Sequence, residues 1–94
     1  MQREEAETIA VSALAFIAAD GELLPRFLSL TGIEAHQIRA AAAEPGFLAG
    51  VLQFVLAHEP TVLRFCEESG IAPERVARAP AALPHGNTSY DIQP

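Results

Sequence analysis

The sequence contains no lysine: its six basic residues are all arginine, against twelve acidic ones, for a net charge of −6. Such a chain is repelled by nucleic-acid phosphates and anionic membrane surfaces unless it gathers its few arginines on one face. Cysteine is almost absent as well, with Cys66 alone. No internal disulfide can form, and the expected compartment is a reducing one, the cytoplasm. Long apolar runs are missing. The longest, residues 9–19 and 46–57, fall short of the ~20 residues that span a bilayer and are interrupted by Ser12 and Gln53. At the start of the chain Glu4, Glu5 and Glu7 outweigh Arg3, unlike the basic opening of a signal peptide. There is no Gly-rich phosphate loop, nucleophile elbow or paired-carboxylate motif. His36, His58, His85 and Cys66 lack the close paired spacing of a zinc site. The expectation is a soluble chain with no catalytic residue, cofactor or metal, and hence not an enzyme.

What the sequence does hold is a pattern that occurs twice. Residues 24–41, LPRFLSLTGIEAHQIRAA, run parallel to 62–79, VLRFCEESGIAPERVARA. Phe27 answers to Phe65, Gly32 to Gly70, Ile33 to Ile71 and Ile38 to Val76, always at an offset of 38 residues. Upstream, Leu14 and Phe16 answer to Leu52 and Phe54. Over 9–42 against 47–80 there are eight identities in 34 positions, suggesting one supersecondary unit made twice. In each copy an apolar-periodic helix runs into a glycine, the residue that most easily takes the left-handed cap conformation. The isoleucine after it can fold back onto the last turn as a Schellman-type cap.

Periodicity and punctuation place six helices and no strand. The first covers 3–19, with acids in its first turn. The second covers about 22–31, after a break at Asp20-Gly21 that offers an N-cap. A third, about 35–43, carries Ile38 and four alanines, Ala40 to Ala43. The fourth, 46–58, is the most apolar stretch and is expected at the centre. The fifth begins at Glu59-Pro60, and the sixth begins at Pro73 and is stopped by Pro80. Pro45, Pro60 and Pro73 each sit at an expected N1 position. The fold class is therefore all-α: a compact bundle of five or six short helices, as two similar three-helix units about a pseudo-twofold axis. Residues 1–83 form one domain. Residues 84–94, rich in Pro, Gly, Asn, Thr and Ser, are expected as a flexible C-terminal tail.

Function is reached mostly by elimination. Helix, Gly-containing turn, helix is also the outline of a DNA-binding helix-turn-helix. Its reader would have to be the third helix, with only His36, Gln37 and Arg39, or the sixth, with Glu74, Arg75 and Arg78. Cys66 lies beside Phe65 on the buried face of the fifth helix and reads as a small core residue. The remaining lead is a surface. Leu23 answers to Thr61 and Leu30 to Glu68, and those second-copy residues suggest solvent-facing positions. Leu23 and Leu30, flanked by Arg26, then either form an exposed protein-interaction face or pack under the first helix or the tail. Arg26 and Arg64 are expected to be solvated or paired with Glu22 and Glu68 one turn away. A small cytoplasmic interaction or regulatory domain is the first reading. A helix-turn-helix-like DNA binder and a self-associating structural protein are the alternatives.

The stretches Ala13 to Asp20 (ALAFIAAD) and Arg26 to Ile33 (RFLSLTGI) resemble an uncharacterised family of short bacterial proteins, domain of unknown function family 3572. FLAGVL at Phe47–Leu52 and GIAPERVARA at Gly70–Ala79 carry the likeness on, over about residues 5–83. The family often has Asp-Pro where this chain has Glu34-Ala35, Glu59-Pro60 and Ala72-Pro73, so some helix caps are expected to be weaker here. The resemblance implies a small all-helical bacterial cytoplasmic protein and no activity, ligand or site residue.

Overall fold

The first helix, α1 (Arg3–Ala18), begins with Glu4 and Glu5 in its first turn, where negative charge opposes the exposed N–H dipoles. Its inward face is Ala6, Ile9, Ala10, Ala13 and Ile17, recurring at three- and four-residue spacing. Asp20 stops α1 and starts α2 (Leu23–Thr31): its Oδ1 accepts the N–H groups of Glu22 at 2.8 Å and Leu23 at 2.9 Å. A 3-10 turn (Ala35–Gln37) leads into the short α3 (Ile38–Ala41). Then come α4 (Phe47–Leu56), α5 (Glu59–Ser69) and α6 (Pro73–Arg78), and a second 3-10 turn over Ala79–Ala82. The computed structural model describes residues 1–86. Residues 87–94, which hold most of the expected tail, lie outside the described residues, and among those described there is no strand.

The core lies between α1 and α4. Small residues on both, among them Ala6, Ala10, Ala13 and Ala49, are fully buried, and small side chains let helix backbones approach closely. Val51, Leu52 and Val55 complete the inward side of α4, which is central as its composition predicts. The other helices pack around this pair. Phe27 of α2 meets the Phe54 and Phe47 rings of α4 edge-on, with centroids 5.3 and 5.9 Å apart. Phe65 of α5 meets Phe16 of α1 at 5.4 Å. Each buried phenylalanine contributes roughly 1.5–3 kcal/mol by leaving water, and such ring pairs add about 1 kcal/mol.

Backbone geometry recurs at the 38-residue offset. Gly32 sits at φ 76°, ψ 7° and Gly70 at φ 77°, ψ 7°. Their N–H groups donate to Leu28 O and Cys66 O, both at 2.9 Å. The next amide does not close a Schellman cap. Ile33 N–H donates to Thr31 Oγ1 at 3.3 Å and Ile71 N–H to Ser69 Oγ at 3.2 Å, because a hydroxyl two residues back is the nearer acceptor.

Two boundaries differ from expectation. Pro45 is not the first residue of α4. The helix begins after Gly46, whose φ of 92° turns the chain, and Phe47 is its first residue. The third helix does not reach residue 43 as an α-helix. Ala43 and Glu44 donate to Ala40 O and Ala41 O in tight i→i−3 turns, and the residue before a proline, here Glu44, is disfavoured in the helical region. The cap at Glu34-Ala35 is also stronger than expected. The side chains of Glu34 and Gln37 each accept the other's backbone N–H, a reciprocal capping box. After the last 3-10 turn ends at Ala82 the chain turns through Leu83 to Gly86, whose carbonyl accepts a hydrogen bond from Gln53 Nε2 at 3.1 Å. A side chain on Gly86 would stand 1.5 Å from Pro80 O, so only glycine fits there.

Candidate interaction face

The outer side of α2 carries the candidate site. Leu30 is 73 % exposed, one turn beyond Arg26, and faces outward like its counterpart Glu68. The Arg26 guanidinium lies over the Phe54 ring, 5.8 Å from its centroid. A cation over a half-buried aromatic face gains from the ring quadrupole and keeps its stem on apolar surface.

Leu23 does not belong to this face. It is 4 % exposed, part of the core, and its counterpart Thr61 is only 3 % exposed. A threonine at this position suggests solvent, but its hydroxyl pairs with His58 Nδ1 at 2.8 Å, so it enters the interior without an unmade hydrogen bond. The face reduces to Arg26 and Leu30.

The matching arginine on α5 is arranged differently. Arg64 lies over the Phe16 ring at 5.4 Å and also donates to Asp20 Oδ2 at 2.5 Å. The arginine hydrogen bond, then the Leu23 and Glu22 amides, hold the Asp20 carboxyl down at about 2. Of the two expected states, solvated or paired with Glu22 and Glu68, Arg26 is exposed and unpaired with Glu22, while Arg64 pairs with Asp20 instead of Glu68. His58 stands where Asp20 stands in the first copy. Arg26 accordingly makes no ion pair among the described residues, whereas Arg3, Arg64 and Arg75 pair with Glu7, Asp20 and Glu5.

A second exposed leucine, Leu63, projects from α5 at 56 % exposure, with Glu67 exposed one turn further on. Sequence reasoning missed it, although a signal was present: Leu63 falls outside the Val62, Phe65, Cys66, Ser69 stripe at helical spacing. Beside it opens a shallow groove of about 470 Å³ lined by Cys66, Ile71 and Pro73 among others. Cys66 is partly covered, and burial pushes its thiol pKa up, away from a reactive thiolate. A second groove, about 500 Å³, lies along α3 between Ile33, Ala41 and Phe47. Among the described residues no three His, Cys, Asp or Glu side chains converge to hold a metal. Nor is any single helix there long and apolar enough to cross a membrane. The segments a DNA reader would need are short: residues 35–41 split between 3-10 and α geometry, and Arg75 of α6 is engaged by Glu5.

The family model described as "Protein of unknown function (DUF3572)" matches residues 3–86. No curated protein and no solved structure matches the chain. The chain belongs to the DUF3572 family, and the matched stretch ends at Gly86, where Gln53 ties the backbone to α4.

Proposed function

We propose that this chain is a non-catalytic protein-interaction domain that engages its partner through Arg26 and Leu30 on the outer side of α2. One observation carries the reading: an exposed leucine stands one turn from an arginine that is stacked on an aromatic ring and lacks an ion pair among the described residues. The opposite arginine, Arg64, has the carboxylate that Arg26 is missing. A face built of arginine, aromatic edge and leucine has the composition of interface centres. The same reading takes 9–42 and 47–80 as two copies of one unit about a pseudo-twofold axis. The paired glycine dihedrals and the matched Arg-on-Phe contacts support it. The chain's single cysteine, which leaves no internal disulfide to form, suits a reducing cytoplasm.

The test is a photo-reactive side chain at position 30, with a control at exposed Ala15 on α1. An adduct formed in cells from position 30 and not from position 15 supports the reading. Equal labelling from both positions, or none from position 30, overturns it.

A further inference from the structure

The two exposed helix faces are complementary in order. Along α2 the cation comes first and the leucine four residues later: Arg26, then Leu30. Along α5 the leucine comes first and the anion four residues later: Leu63, then Glu67. All four are exposed, and neither Arg26 nor Glu67 makes an ion pair among the described residues. Four residues rise about 6 Å on either helix. Laid antiparallel, the two faces therefore bring Leu30 onto Leu63 and Arg26 onto Glu67 at once. Laid parallel, each leucine meets a charge.

We propose that the partner of the α2 face is a second copy of this chain, which lays the outer side of its α5 antiparallel across α2. The proposal rests on the reading of Arg26 and Leu30 as an interaction face and names its occupant. Glu67 of the second copy supplies the carboxylate that Asp20 supplies to Arg64, and Leu63 covers Leu30. Opposite charges in register also set which way the helices lie, because the wrong orientation leaves both charges against apolar surface.

Sedimentation equilibrium on the full chain tests this. The wild type is expected to associate as concentration rises. Arg26→Glu and Glu67→Arg should each weaken association about tenfold or more, since each places like charges opposite one another. An equimolar mixture of the two variants should associate again, because each copy then offers the charge the other lacks. Circular dichroism melts matching the wild type would show that the variants fold, as expected for exposed positions. A wild type that is monomeric at every concentration, or a mixture that stays dissociated, overturns the proposal. The photo-adduct from position 30 separates the two readings. An adduct with a different protein removes the second copy and leaves the α2 face standing; no adduct removes both.

Discussion

Residues 35–41 and 73–79 occupy matching places, each placed after a left-handed glycine and a half-buried isoleucine, yet only the second segment is built into the core. Val76 and Ala79 are fully buried, while no residue of 35–41 is, and Ile38 remains half-exposed. The difference lies in the next stretch of chain. After Ala79 the backbone tightens into a 3-10 turn whose Pro80 is buried, and Leu83 reaches the core between α1 and α4. After Ala41 come two alanines, Glu44 and a sharp turn at Gly46, with no apolar group larger than a methyl to insert before that turn except the ring of Pro45. Helices of four to seven residues are far below the length that holds in isolation. Their survival depends on tertiary anchors, and one of the two has a much better anchor.

That contrast can be broken by mutation. Leu83→Ala should have the largest effect, about 3 kcal/mol, because it removes the anchor and leaves a cavity. Val76→Ala should come next at about 2 kcal/mol, and Ile38→Ala should stay under about 1 kcal/mol. Chemical denaturation of the three variants checks the order, and equal losses at 38 and 76 would end the comparison. Native-state hydrogen exchange sharpens it without mutation. The amide of Ala42, bonded to Ile38 O, should exchange at least about tenfold faster than that of Ala79, bonded to Arg75 O.

The paired glycines should behave alike. Each has positive φ and open space around a would-be Cβ, so Gly32→Ala and Gly70→Ala should each cost about 1 kcal/mol, from backbone strain alone. Unequal losses would show that the two turns differ in ways their dihedrals do not reveal.

The smallest effect is electrostatic. Asp20 is held from 3.8 down to about 2, chiefly by Arg64. A depressed carboxyl stabilises the fold above its unfolded pKa, and that part is lost as pH falls from 3.8 toward about 2. Asp20→Asn should flatten the stability profile within this window and leave the rest of the acid limb unchanged. His58→Asp should install the same acid-sensitive step beside Arg26, and it should add about 1 kcal/mol as a better cap for α5. Arg26→Gln in that background should remove the step and keep the cap.

Much of the backbone is legible in the sequence because its determinants are local. Glycines at 32 and 70, prolines at 60 and 73 and the apolar stripe of α4 act within one turn of themselves. The side-chain placements that sequence reasoning misreads depend on contacts across the chain. Thr61 suggests solvent until His58 satisfies its hydroxyl, and with it goes the argument that exposed Leu23. Arg64 pairs with Asp20, 44 residues away, and no helical spacing predicts that. The end of α3 is misjudged because four alanines promise a helix to residue 43, whereas the helix ends at Ala41, ahead of the turn at Glu44-Pro45. Leu30 is correctly placed because glutamate at 68 is rarely buried. Leu63 is missed because its counterpart, Pro25, says nothing about exposure.

The ring contacts that join α1 to α5 and α2 to α4 bear on the order in which the molecule is made. Among the described residues Phe16 finds its aromatic partner in Phe65, and Phe27 finds its partners in Phe47 and Phe54. In a chain emerging from the ribosome Phe16 therefore lacks this partner ring until residue 65 has cleared the exit. A product truncated ahead of α5 would leave Phe16 without its partner ring, while Phe27 would still have Phe47 and Phe54 of α4 to pack on.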